Sequence, residues 1–182
     1  MMNLPNKLTV LRVLMIPVFL VVLMGGFLPI ATARIAAVVI FALASLTDFL
    51  DGYIARKYKL ITNFGKFMDP LADKLLVCAA LIAMVALGDI AAWVVILIVS
   101  REFIVTGFRL IAAEQQVVLA AGIWGKLKTT AQMLMIILVL LNIQNDTVQL
   151  FGQALIWLAA ALTVISAVEC IAKNMQVLKD AK

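Results

Sequence analysis

Long apolar runs alternate with short polar interruptions along the whole chain. Runs long enough to span about 30 Å of hydrocarbon cover residues 8 to 25, 32 to 50, 70 to 88, 91 to 112, 122 to 142 and 150 to 172, and they predict six helices. Pro17 falls inside the first run, and Gly25, Gly26 and Pro29 form a turn signal after it. No small-residue cleavage site follows that run, so it is expected to remain as a helix and not to be removed as a signal peptide. The longest polar stretch, Lys57 to Lys66, only connects two helices, and neither an internal repeat nor a low-complexity tract interrupts the pattern. The expectation is one domain over residues 1–182, an all-α integral membrane protein with six transmembrane helices.

Composition agrees with the bilayer. Of 182 residues, 65% are hydrophobic and only 14% are charged, and the mean hydropathy is +1.14, more apolar character than a soluble domain of this size requires. The charges are placed unevenly. Lys7 and Arg12 precede or open helix one; Arg56, Lys57, Lys59 and Lys66 fill the turn between helices two and three; Arg109, Lys126 and Lys128 flank the turn between four and five; Lys173, Lys179 and Lys182 close the tail. The alternate loops hold Asp89 and Asp146 and almost no positive charge, with Arg34 the exception at the edge of helix two. The positive-inside rule then places both termini in the cytoplasm, in a multi-pass protein of the cell membrane. A net charge of +5, carried mostly on that side, suits an anionic leaflet and anionic substrates, and there is no nucleic-acid module. Cys78 and Cys170 fall inside apolar helices, where each is expected to act as a small hydrophobe without a disulfide.

The chemistry concentrates in one segment: Asp48-x-x-Asp51-Gly52-x-x-Ala55-Arg56, then eight residues, then Gly65-x-x-x-Asp69-x-x-x-Asp73. Spacings of three and four return a side chain to the same helical face, so Asp48 pairs with Asp51 on one helix and Asp69 with Asp73 on the next. Four crowded carboxylates stay ionised only with strong positive compensation. A purely structural salt-bridge cluster would rest on Arg56 and Lys74, which neutralise only part of that charge. Divalent metal supplies the rest. The chain has no His, and its two Cys lie elsewhere, so the donor set is oxygen and Mg²⁺ or Mn²⁺ is favoured over Zn²⁺. Gly52, Ala55 and Gly65 allow close helix packing and also leave backbone bare for a flat ligand such as a nucleotide base. Asp69 before Pro70 reads as an N-cap followed by a first-turn proline. Asp73 would then lie one turn in, near the positive end of the helix dipole, a placement that helps a base.

All eight positions of this motif match, so the chain resembles the CDP-alcohol phosphatidyltransferases, membrane enzymes with six transmembrane helices. Further similarity lies in Asn3-Leu4-Pro5-Asn6-Lys7-Leu8-Thr9, in Phe64 to Lys74, in Ser100-Arg101-Glu102-Phe103 and in Gly125-Lys126-Leu127-Lys128-Thr129. The resemblance implies two metal ions, one held by Asp48, Asp51 and Asp69 and the other by Asp48, Asp69 and Asp73. It makes Asp73 the general base, and it lays Asn6, Thr9, Gly52 and Thr62 against the CDP moiety, with Ala55 and Gly65 beside them and Arg56 on the diphosphate. The implied reaction moves a phosphatidyl group from CDP-diacylglycerol to sn-glycerol 3-phosphate at the cytoplasmic side of the bundle, and the expected assembly is a homodimer.

Arg109, Lys126 and Lys128 gather where helices four and five meet, so they are the candidates for the acceptor phosphate, against a reading as snorkelling topology signals. Arg101 lies deeper, and pairing with Glu102 would account for it. Two alternatives stay open. The acceptor could be inositol phosphate, serine or phosphatidylglycerol, and buried charges also suit a transporter, although a transporter predicts repeats and midplane acids.

Overall fold

The computed structural model describes the backbone of residues 4–57, 63–114 and 122–173, and the side chains of residues 8–47, 71–109, 112 and 122–173. Six helices make up the described chain: α1 Leu4–Met24, α2 Ile30–Lys57, α3 Asn63–Ala86, α4 Ala92–Glu114, α5 Ile123–Leu141 and α6 Asp146–Lys173. Their number and order follow the apolar runs. Their ends do not, because hydrophobicity marks the stretch that lipid can surround while helical hydrogen bonding continues past it. Thus α2 runs on to Lys57 instead of stopping near residue 50, and α3 begins at Asn63 instead of at residue 70. The Asp69-Pro70 pair is therefore inside α3 and is not its N-cap. Proline there forfeits one intrahelical hydrogen bond, and the helix continues through it.

Two compact units are resolved, each with its own packing. The first gathers α1, α2, α3 and residues 139–142, with α1 against both α2 and α3, and α2 against α3. Small residues make this possible. Ala33, Ala37 and Ala44 on α2, and Ala72, Ala80 and Ala83 on α3, recur at helical intervals and are buried, so the backbones can approach where lipid offers no hydrophobic driving force. Phe19 of α1 and Phe41 of α2 fill the space between, ring centres 6.5 Å apart. The buried face of α1 continues through Thr9 and Arg12, both 0% exposed.

One end of this unit is closed by an ion pair. After α3 the chain turns through Gly88, whose φ of +78° costs a glycine nothing. The amide of Gly88 donates to the Val85 carbonyl, and that of Asp89 to the Met84 carbonyl at 2.9 Å, the double bond of a Schellman cap. That cap fixes Asp89, whose carboxylate accepts from both terminal nitrogens of Arg34, Nη1 at 2.8 Å and Nη2 at 2.9 Å. Nη1 also reaches the Leu140 carbonyl at 3.4 Å. Arg34, the one basic exception in the charge pattern, is thus half of a fork-to-fork pair joining α2 to the turn after α3.

The second unit holds α4, α5 as far as residue 138, and α6. Here α4 packs on α6, with Trp93 and Trp157 5.6 Å apart between ring centres and Val94, Ile98, Ile156, Ala159 and Leu162 buried. Asn145 caps α6, its Oδ1 accepting from the Thr147 amide at 3.0 Å. Phe108 and Ala112 form a buried pair against which Cys170 packs.

The outer faces carry the opposite signature. Leu11, Leu14, Val18 and Val21 on α1, and Leu150, Phe151, Trp157 and Val168 on α6, are half or more exposed, rows that water would penalise and lipid would not. Among the described residues, Ile30–Thr47, Ile123–Leu141 and Asp146–Lys173 are long and apolar enough to cross a membrane, and Leu8–Met24 is a shorter apolar stretch. Charge sets α4 apart, since Arg101, Glu102 and Arg109 fall within the length of one span.

The Arg34–Asp89 pair is 7% and 12% exposed, so removing one partner strands a charge. Arg34→Met or Asp89→Asn alone should each cost about 3 kcal/mol or more, whereas the apolar pair Arg34→Met with Asp89→Leu should cost clearly less than the sum. Thermal unfolding of the purified variants in detergent checks this; additive losses would contradict it.

Candidate active site

The eight-position motif is divided between two helices of the first unit. Asp48, Asp51, Gly52, Ala55 and Arg56 sit in the last turns of α2, and Gly65, Asp69 and Asp73 in the first half of α3. The six peptide steps from Lys57 to Asn63 can span at most about 22 Å, and α2 packs on α3, so the two halves of the motif occupy adjoining helix ends. Positions 48 and 51 share one face of α2, and positions 69 and 73 share one face of α3. The side chains of Asn6, Asp48, Asp51, Gly52, Ala55, Arg56, Gly65 and Asp69, and the whole of Thr62, lie outside the described residues.

Two motif-associated residues are described. Asp73 is half-buried on α3. Because α3 starts at Asn63, Asp73 stands well beyond the first turn, where the helix dipole has faded, and the expected help from that dipole is withdrawn. Thr9 is entirely buried on α1, with Arg12 one turn further along the same face and equally buried. The charge pattern counts Arg12 only among the basic residues that precede or open helix one. Its i, i+3 relation to Thr9 was the available signal that it belongs to the inner face of α1; a cation held within a membrane helix ordinarily serves a site or an internal partner.

As a donor set, four carboxylates on adjoining ends of packed helices, with no His in the chain, fit a hard divalent cation and fit zinc poorly. Among the described residues no group of three or more His, Cys, Asp or Glu stands close enough to hold a metal; three of the four aspartates lie outside that set.

The candidate acceptor cations belong to the second unit, and they divide into two kinds. Arg109 on α4 and Lys126 on α5 are exposed, whereas Lys128 is 3% exposed. Arg109 does not end its helix, since α4 continues to Glu114; Lys126 and Lys128 do open α5. Lys128 Nζ donates to Glu102 Oε1, and the same oxygen accepts from Arg101 Nη1 at 2.9 Å. Arg101 Nη2 donates to Ser166 Oγ at 2.9 Å, and Ser166 in turn donates to the Thr163 carbonyl at 3.1 Å. One hydrogen-bonded chain therefore links α5, α4 and α6. Arg101 pairs with Glu102 as the sequence suggests. The parts played by Lys128 and Ser166 were not visible there, because they depend on contacts between residues 26 and 65 positions apart.

Beside this chain, an apolar groove of about 440 Å³ runs between α4 and α6, lined by Trp93, Leu97, Ile104, Val164 and Val168, with Arg101 and Ser100 among its few polar points. At the start of α5 the Glu169 carboxylate lies so near Gly122 that a Cβ there would come within 2.7 Å of Oε2. Lys173 donates to the other oxygen of Glu169 at 2.6 Å.

Comparison with known proteins gives the same direction throughout the chain. The profile of the CDP-alcohol phosphatidyltransferases matches residues 2–165. A Bacillus subtilis (strain 168) protein named CDP-diacylglycerol–glycerol-3-phosphate 3-phosphatidyltransferase is 45% identical over the full length of both chains. A Rickettsia bellii protein of the same name is 40% identical, covering 90% of this chain and 91% of its own. A Mycobacterium tuberculosis (strain H37Rv) protein named probable phosphatidylglycerophosphate synthase is 44% identical over 96% of this chain and 82% of its own. With the eight-position motif complete and placed on adjoining ends of α2 and α3, the chain belongs to the CDP-alcohol phosphatidyltransferase family.

Proposed function

We propose that this protein transfers the phosphatidyl group of CDP-diacylglycerol to sn-glycerol 3-phosphate, forming phosphatidylglycerophosphate and CMP, a step of phospholipid biosynthesis. The observation that carries the reading is the full motif on adjoining ends of packed helices, in a chain alike from end to end to relatives named for this reaction. Membership in a transferase family removes the transporter alternative.

In the proposed mechanism the chain's own residues bind, orient and move one proton. Arg56 holds the diphosphate through charge-assisted hydrogen bonds, and Thr9, with Asn6, Gly52 and Thr62, borders the cytidine, with Ala55 and Gly65 leaving room for it. An Asp73 carboxylate oxygen takes the proton from the 1-hydroxyl of glycerol 3-phosphate. That hydroxyl oxygen bonds to the β-phosphorus, and the bond from that phosphorus to the bridging oxygen breaks, releasing CMP. Asp48, Asp51, Asp69 and Asp73 are the residues that would hold two Mg²⁺ or Mn²⁺ ions, which when bound supply positive charge for the oxygens of the displacement. Arg109 and Lys126 receive the acceptor phosphate, with Lys128 behind them.

The same proposal gives the molecule six membrane crossings in a single domain, with the aspartates and both termini on the cytoplasmic side of the cell membrane. A homodimer is its assembly. The charge pattern supports the orientation, with Arg56, Lys57, Lys126 and Lys128 on one set of helix ends and Asp89 and Asp146 on the other.

Two outcomes test the reading. Asp73→Asn keeps size but removes proton acceptance and one anionic ligand, so turnover should fall about a hundredfold or more while CDP-diacylglycerol binding falls less; near-normal turnover would rule out the base. Arg109→Gln or Lys126→Gln should raise the KM for glycerol 3-phosphate far more than that for CDP-diacylglycerol. If the two cations only anchor the helices at the interface, purified variants will show both constants unchanged.

A further inference from the structure

Thr9, Arg12, Phe19 and Leu23 are buried on one face of α1, and Ala33, Ala37, Phe41 and Ala44 on one face of α2. The two helices pack together, with Phe19 and Phe41 meeting in the contact. Only residues 25–29 join them, so they run antiparallel. Both rise by about 1.5 Å per residue, and each step back along α1 from Phe19 is therefore matched by a step forward along α2 from Phe41. Seven steps bring Arg12 level with Asp48, and ten bring Thr9 level with Asp51. Positions 48 and 51 also continue the α2 face of Ala37, Phe41 and Ala44, in alternating steps of four and three.

A guanidinium that is 0% exposed in an apolar helix needs its counter-charge inside the protein. The first unit contains five acids in its sequence: Asp48, Asp51, Asp69, Asp73 and Asp89. Asp89 is bound by Arg34, which stands about 21 Å along α2 from position 48. The counter-charge of Arg12 is left to the aspartate motif, and the helix register singles out Asp48. We infer that Arg12 is a positioning residue for the metal-binding end of α2: its guanidinium donates to one oxygen of the Asp48 carboxylate and fixes that group, leaving its other lone pairs for divalent cations. The inference rests on the reading of the motif as a metal site, and it adds a residue of α1 that lies behind the ligands.

Mn²⁺ binding to the substrate-free protein in detergent, followed by the paramagnetic resonance of the free ion, tests the role. Arg12→Met should weaken binding about 10- to 100-fold, the loss typical of a group that orients a metal ligand. Arg12→Lys keeps the charge but not the fork, so it folds if Met does not, and it should weaken binding by a smaller factor. A cation that only neutralised the aspartates would do the opposite: its removal leaves more negative charge, and Mn²⁺ would bind more tightly. Tighter binding, or unchanged affinity in both variants, would overturn the inference. The pairing is measured separately, by thermal unfolding of the metal-free protein in chelator. Arg12→Met combined with Asp48→Asn should lower the Tm no more than the larger of the two single losses, whereas Arg12→Met with Asp69→Asn should lower it by about their sum. Additive losses with Asp48, or coupling to Asp69 in its place, would also overturn the inference. A wild-type protein that binds no Mn²⁺ would instead overturn the metal site itself, while the unfolding measurements would still decide whether Arg12 holds Asp48.

Discussion

A charge on a helix that lipid surrounds has to find its counter-charge inside the protein. That constraint organises both units. In the first, Arg34 could not sit bare near the start of α2, and the Gly88 cap delivers Asp89 to it with both oxygens aligned. In the second, Glu102 accepts from Lys128 and Arg101 together, and Ser166 accepts from the other terminal guanidinium nitrogen of Arg101. Such pairs add little net stability compared with apolar replacements, because desolvation offsets most of their attraction. Their effect is on arrangement: a helix that shifted by one turn would strand a charge, so alternative packings of smooth apolar helices are penalised. Among small residues and interchangeable Leu, Ile and Val, few other contacts discriminate between registers.

The same reasoning explains which parts of the fold were legible in the sequence. Six helices could be read because the requirement for apolar length is local to each span. The limits of α2 and α3 could not, since polar residues such as Asp51, Arg56, Asn63 and Lys66 are compatible with helix once it emerges from the apolar stretch. This is why Asp69-Pro70 looked like a beginning and is an interior turn of α3. Charge partners were legible only where they adjoin, as with Arg101 and Glu102. Arg34 and Asp89 lie 55 positions apart, and nothing local to either names the other. The burial of Arg12 was not legible for a related reason: a basic residue at the opening of a helix is counted with the topology signals until its neighbours on the helix face are considered.

The candidate site divides in the same manner. The aspartate motif was legible in full, because its information lies in spacing within two consecutive helices. The candidate acceptor cations were legible only as a set, and the fold sorts that set by exposure. Arg109 and Lys126 remain accessible, while Lys128 is enclosed by Glu102. A soluble dianion and a nucleotide lipid pose different problems for a protein in a bilayer. The lipid can be met by a motif fixed on packed helices. The dianion needs exposed cations to arrive.

The most direct measurement of the central claim is the identity of the product. Purified protein in mixed micelles containing CDP-diacylglycerol and Mg²⁺ is offered sn-glycerol 3-phosphate, inositol phosphate, serine or phosphatidylglycerol in separate reactions, and the lipids and released nucleotide are identified by mass spectrometry. The account predicts phosphatidylglycerophosphate with one CMP per lipid formed, from glycerol 3-phosphate alone, and no product in excess chelator until Mg²⁺ or Mn²⁺ is restored. A different phospholipid as the main product, or full turnover with the divalent ions removed, would contradict it.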